Sequence, residues 1–142
     1  MLYLGKFMRR GLSVGYECFG HSDVLIEIFD RQSVKGDEAL RKLVNRGEDV
    51  ATTVINLHEI LYGLEKYAKP VREILFLPTI EYMKRDAQLS AELELKAERL
   101  GKLVRRTDAM IAAIVLNRGA LLYTFDLKYF SVFRDFGLKL FP

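Results

Sequence analysis

The chain predicts an α/β fold with a central, mostly parallel sheet covered by helices on both faces. Two observations carry that reading. Short apolar segments alternate with longer segments of helical period along the chain, the pattern of strands joined by helical crossovers. Lone acids also stand where a strand hands over to a helix: Asp23 in HSDVLIEIF, Glu59 in TTVINLHEILYGL, Asp108 in RRTDAMIAAIVLNRG and Asp126 in ALLYTFDLKYF. The length of 142 residues suits one domain, able to bury roughly two thirds of its unfolded surface.

Residues 1–12 mix basic and apolar groups without a clear period and read as a lead-in, leaving 13–142 as a single domain. Val14 to Gly20 read as the first strand, with Tyr16 and Cys18 on one face. Ser22 or Asp23 then caps a helical stripe of Val24, Leu25, Ile28 and Phe29. A helix follows from about Gly36 to Asn45, with Ala39, Leu40, Leu43 and Val44 inward and Gly47 as its stop. Val50 to Thr53 form a strand, and the next helix carries Val54, Leu57, Leu61 and Leu64. Pro70 ends it near Ala68, because a residue before proline avoids the helical region.

Val71 to Leu77 read as a short helix stopped by Pro78, and Thr79 to Met83 as a strand. A long helix from Arg85 to about Gly101 turns Leu89, Leu93, Ala97 and Leu100 to one face. Glu92–Lys96 and Glu98–Lys102 flank it in the favourable i,i+4 order. Thr107 to Asn117 give the clearest helix, with Met110, Ile111, Ile114 and Val115 inward and Gly119 at its end. Ala120 to Thr124 is a strand, Leu127 to Phe133 a helical turn and Leu138 to Phe141 a last strand.

Composition narrows the function. Half of the residues are apolar and 29% are charged, which is ordinary globular usage. A single cysteine, Cys18, rules out an internal disulfide framework and fits a reducing, cytoplasmic setting. No apolar run approaches the roughly 20 residues of a membrane span. No long apolar stretch follows Lys6, Arg9 and Arg10, so no secretion signal is predicted. The net charge of +3 and pI near 9.0 lean towards an anionic partner. Zinc-type Cys/His spacing, a P-loop and a GxGxxG turn are all absent from the sequence.

In open parallel sheets, ligands bind beyond the carboxyl ends of the strands where strand order reverses. Asp23 and Asp126 follow predicted strands and belong on that rim. Glu59 shares a helix face with Ile55 and Tyr62, and Asp108 lies on the side of Ile111, Ala112 and Val115. Singly, each acid has an ordinary role as a cap, a first-turn acid or a solvated helix acid. An ionised carboxylate on a largely apolar face needs a positive partner, and the four together are expected to form one pocket for a divalent ion such as Mg²⁺. Two ions about 3.5–4 Å apart, or one, suit phosphodiester hydrolysis. A phosphoryl-transfer domain also gathers Asp at strand ends, but HSD supplies one Asp where a DxD pair is needed.

The segments RTDAMIAAIVLNRGALLYTFDLKYF and TTVINLHEILYGL carry a family likeness. The chain resembles the PIN domain, particularly VapC-type ribonuclease toxins, over about Ser22 to Pro142. The resemblance implies a three-layer α/β/α sandwich and a Mg²⁺- or Mn²⁺-dependent ribonuclease. By likeness Glu59, Asp108 and Asp126 match three of its acidic site positions. The fourth departs from the pattern. His21 stands where the principal Asp is expected, and Asp23 matches the variable polar position two residues on. Three outcomes are open: Asp23 serves as the ligand, His21 coordinates through nitrogen and favours Mn²⁺, or the site is crippled and the domain binds RNA or a protein partner without cutting.

Lys96, Arg99, Lys102, Arg105 and Arg106 lead into Asp108 and are candidates for phosphate contacts; the alternative is a solvated face of ion pairs. Tyr62, Phe125 and Tyr129 are candidates for base stacking or for core packing. An RNA substrate, a toxin role, a cognate antitoxin and a homodimer are what the resemblance implies.

Overall fold

The computed structural model describes residues 17–47 and 49–142. The lead-in and the predicted strand residues Val14 to Tyr16 lie outside them. Strands β1 (Cys18–Gly20), β2 (Val50–Thr53), β3 (Thr79–Ile80), β4 (Leu121–Tyr123) and β5 (Lys139–Leu140) form one sheet in the order β3-β2-β1-β4-β5. Every pairing is parallel, with Cys18 beside both Val50 and Leu121. From β1 the chain steps outward through β2 to β3, then returns to the other side of β1 for β4 and β5. Strand order therefore reverses at β1.

Side chains alternate across the strands. Phe19, Ala51 and Leu122 face a core made with the helices α5 (Lys84–Arg99), α6 (Arg106–Asn117) and α7 (Leu127–Arg134). Their neighbours Cys18, Val50 and Tyr123 face a second core with α1 (Ser22–Leu25), α2 (Val34–Arg46), α3 (Val54–Lys66) and α4 (Arg72–Leu75). This is the α/β/α sandwich expected from the sequence. Helix α6 is the spine of the first core. Ile111, Ala112, Ala113, Ile114 and Val115 are all fully buried, so its apolar character extends around the helix rather than along one stripe.

Several boundaries have visible causes. Ser33 Oγ accepts the Gly36 amide at 3.0 Å and starts α2 earlier than expected; Gly47 closes it with φ 65°. Thr53 Oγ1 accepts the Asn56 amide at 3.1 Å and starts α3 at the end of β2. After α1 the chain widens into a π-helical segment, Ile26–Arg31, which the apolar spacing does not reveal. Helix α2 sits so close to that segment that a Cβ on Gly36 would lie 2.2 Å from the Glu27 carbonyl oxygen.

The structure corrects further expectations. The strand at Thr79 is two residues long, because Met83 already serves as N-cap of α5. Leu100 is 59% exposed, since α5 ends at Arg99 and Leu100 lies past the last regular turn. Lys102 reaches Asp135 Oδ2 at 3.4 Å rather than back to Glu98.

Candidate active site

The carboxyl ends of β1 and β4 lie side by side, with Gly20 paired to Tyr123 and the His21 amide on the Tyr123 carbonyl at 2.9 Å. The segments leaving them, His21–Asp23 and Thr124–Asp126, meet at the place where strand order reverses. Asp23 joins the two. Its Oδ2 accepts from Thr124 Oγ1 and the Phe125 amide, both at 3.0 Å. Its Oδ1 lies 2.9 Å from His21 Nδ1 and 2.7 Å from the Val24 amide. Burial alone pushes the Asp23 carboxyl up, but the His21 hydrogen bond and charge, with the donors from Thr124 and Phe125, hold it below the ordinary value. Both oxygens of Asp23 are thus engaged: Oδ2 ties the β1 segment to the one leaving β4, while Oδ1 is held within its own segment by His21 and Val24.

His21 is buried, its ring edge-on to Phe130 at 4.9 Å between centroids. Beside it, Ser22 Oγ donates to Glu59 Oε1 at 3.2 Å and accepts from Asn56 Nδ2 at 3.3 Å. Glu59 itself is exposed on α3. The Thr53–Asn56–Ser22 chain therefore carries the cap of α3 into the first turn of α1 and holds the serine under the glutamate.

On the other side, Asp108 in the first turn of α6 is 3% exposed. Arg105 Nε donates to Asp108 Oδ2 at 2.6 Å, and the same guanidinium donates through an Nη atom to Asp126 Oδ2 at 3.2 Å. The guanidinium lies 4.1 Å above the Tyr129 ring. Burial pushes the Asp108 carboxyl up. The Arg105 hydrogen bond and charge and the His21 charge offset only part of this, and the nearby Asp126 adds to it, so the carboxyl stays above the ordinary value. Asp126 in turn is held at the rim by its amide on Thr124 Oγ1 at 3.0 Å.

The predicted acids thus share one rim but not one cage. Glu59, Ser22, Asp23, Thr124, Asp126, Arg105 and Asp108 form a continuous line of neighbours, in which only Asp108 and Asp126 share a cation. Among the described residues no three His, Cys, Asp or Glu side chains form a group that could hold a metal ion. The pair nonetheless fits a hard divalent cation, which is usually held by one or two carboxylates plus waters and substrate oxygens. Two carboxylates already arranged around a positive charge meet that requirement.

The predicted phosphate contacts divide. Arg105 faces the acids, Arg106 Nε is paired with Glu94 at 3.1 Å, and Lys102 with Asp135. Arg99 is exposed on α5. Lys96 Nζ lies 5.8 Å above the Phe136 ring. Of the aromatic candidates, Tyr62 is 64% and Tyr129 43% exposed. Phe125 is half-buried under Lys35 at 4.0 Å. Sequence reasoning missed two features. The Arg105 bridge had a signal in the i,i+3 spacing to Asp108. The role of Thr124 as a clasp between Asp23 and Asp126 had none.

A parallel α/β/α sandwich with acids at its switch point defines the class. The family model of the PIN domain matches residues 22–135, and the chain belongs to that family. Its fold is similar to solved VapBC toxin–antitoxin structures. VapBC2 from Rickettsia felis bound to a promoter DNA fragment matches with TM-score 0.72 and 21% identity, covering 87% of this chain and 96% of that chain. DNA-bound VapBC from Salmonella typhimurium matches with TM-score 0.72 and 22% identity over 89% and 97%. The sarcin-ricin loop cleaving toxin VapC20 from Mycobacterium tuberculosis matches with TM-score 0.66 and 13% identity over 89% and 100%. No curated protein matches the chain. No helix among the described residues is long and apolar enough to cross a membrane.

Proposed function

We propose that this protein is a metal-dependent endoribonuclease, the toxin of a toxin–antitoxin pair. The observation that carries the proposal is the buried Asp108 carboxylate sharing one cation with Asp126 at the switch point of the sheet. An ionised carboxylate so far from water is stabilised only by a positive partner. Asp108 and Asp126 would hold Mg²⁺ or Mn²⁺. Such an ion would neutralise charge building on a phosphodiester and make a water easier to deprotonate. Glu59, exposed and steadied by Ser22, is available as a proton acceptor at the rim. Asp23 positions Asp126 through Thr124, and His21 stands beside the pair as a nitrogen donor. Arg105 would meet an RNA backbone beside the acids, and Arg99, Lys102 and Arg106, in the stretch leading into Asp108, would add positive charge for it.

The toxin role is supported by membership of the PIN family and by the VapBC complexes among the structures of similar fold; the antitoxin partner, the homodimer and a cytoplasmic site of action go with that role. RNA as substrate is supported by the similar fold of VapC20, a sarcin-ricin loop cleaving toxin, and by the basic residues leading into Asp108. The test is cleavage of single-stranded and hairpin RNAs with Mg²⁺ or Mn²⁺. Cutting is expected to stop with EDTA and in Asp108→Asn. Cleavage indifferent to both would refute the metal site.

A second reading is favoured by one observation. By the family likeness His21 stands where an acid is expected, and the nearest carboxylate, Asp23, has both oxygens engaged, Oδ2 by Thr124 and Phe125 and Oδ1 by His21 and Val24. On this reading the domain binds RNA or a protein partner without cutting. RNA retention with no cleavage in either ion would select it.

A further inference from the structure

We propose that Arg105 is a resident counter-cation of the Asp108–Asp126 pair, so that a divalent ion binds there only as the guanidinium leaves. The inference rests on the reading of those two carboxylates as ligands. An arginine needed only to start α6 would satisfy Asp108, three residues on. Arg105 instead uses two different nitrogens, Nε for Asp108 Oδ2 and an Nη for Asp126 Oδ2, and so spans acids 18 positions apart in the chain on separate elements. The oxygens it engages are those a small hard cation would take. A guanidinium and a dication within a few ångströms repel one another strongly in a partly desolvated site, so the two occupants exclude each other.

Departure is feasible on this geometry. The Arg105 side chain is 51% exposed, whereas that of Asp108 is 4% exposed. The cation can move into solvent while the acid cannot. Tyr129 is a half-exposed ring beneath the guanidinium at 4.1 Å and pins it over the pair. Once displaced, the guanidinium stays tethered at the N-terminus of α6, beside the acids, where its fork suits a phosphate. The entering ion and an anionic substrate would therefore reinforce each other: the ion frees Arg105, and the phosphate gives it a new partner.

The test combines calorimetry with Mn²⁺ and side-chain ¹⁵N spectra of Arg105 during Mg²⁺ addition, on the full chain. The Arg105 Nε–H signal of the wild type is expected to move over the Mg²⁺ range in which the site fills, with a midpoint at the Mg²⁺ dissociation constant. Arg105→Gln is expected to bind Mn²⁺ about tenfold tighter, the factor for losing a half-exposed charged hydrogen-bond pair. Asp108→Asn is expected to abolish binding. Tyr129→Ala, which removes the platform without touching the acids, is expected to tighten binding about two- to threefold. It serves where Arg105→Gln fails to fold. Binding lost in Asp108→Asn but equal in wild type, Arg105→Gln and Tyr129→Ala, with the Nε–H signal still, overturns the proposal and leaves the carboxylate site standing. No Mn²⁺ binding in any variant overturns both.

Discussion

Asp86→Ala is expected to cost about 3 kcal/mol of folding stability. The carboxylate is fully buried at the start of α5 and holds the end of α6. Oδ1 accepts from an Arg118 Nη at 2.9 Å and Asn117 Nδ2 at 2.8 Å. Oδ2 accepts from the other Arg118 Nη at 3.2 Å and the Met83 amide at 2.9 Å. Removing it orphans the guanidinium, a side-chain amide and the N-cap amide of α5. Breaking a buried ion pair from one side costs about 3–5 kcal/mol. The lower end applies because Arg118 keeps its 2.7 Å bond to the Ile114 carbonyl and is 16% exposed. Urea unfolding followed by circular dichroism should show the midpoint falling by about 1.5–2 M at an unchanged slope of about 1.5–2 kcal/mol/M. A double-mutant cycle with Arg118→Met isolates the pair. A loss under about 1 kcal/mol, the value of a solvated surface pair, would refute the reasoning. The pH dependence has a definite sign. Burial pushes the Asp86 carboxyl up, but Arg118, Asn117 and the Met83 amide more than reverse it, and its folded value lies below 3.8. Its contribution is therefore complete above that unfolded value and is lost as pH falls through the depressed folded one.

Three further outcomes follow from the geometry. Gly36→Ala should destabilise by about 2–3 kcal/mol in the same unfolding assay, because its Cβ would press on the Glu27 carbonyl, backbone that cannot yield as a side chain can; a neutral effect would mean that α2 shifts freely. Asp108→Asn, while abolishing cleavage, should raise the melting temperature at pH 7 in EDTA. The Asp108 carboxyl is held above its ordinary value, so its stabilising contribution is complete below the unfolded value and is lost as pH rises through the folded one; a lower melting temperature would contradict this. His21→Asp should increase Mg²⁺-dependent RNA cleavage severalfold and lower the melting temperature, since it adds an acid at the rim but removes the Nδ1 partner of Asp23 and the edge contact with Phe130. Unchanged cleavage would show that the histidine is not what limits the site.

What could be read in advance depended on whether a residue's role was local. The Thr107–Asn117 helix announced itself because its apolar residues repeat within one element, and Gly47 because a left-handed stop is a property of one residue. The rim position of Asp23 and Asp126 followed from strand–helix succession. What the acids touch did not, since that depends on groups brought from elsewhere. Asp23 finds Thr124 and Phe125, 101 and 102 positions away. Nothing in the local sequence marks Asp86, which is buried under Arg118, 32 positions on. Strand ends were overextended at Thr79–Met83 because β-forming residues continue past the point where a cap takes the chain away.

Among the described residues the two outermost strands, β3 and β5, are each two residues long, while the longer ladder work is done in the middle of the sheet. A free flank that brief offers a neighbouring molecule little unpaired backbone to stack against. Two copies should consequently meet through side chains and helices rather than by extending the sheet, and crowded solutions of the folded protein should resist fibre growth.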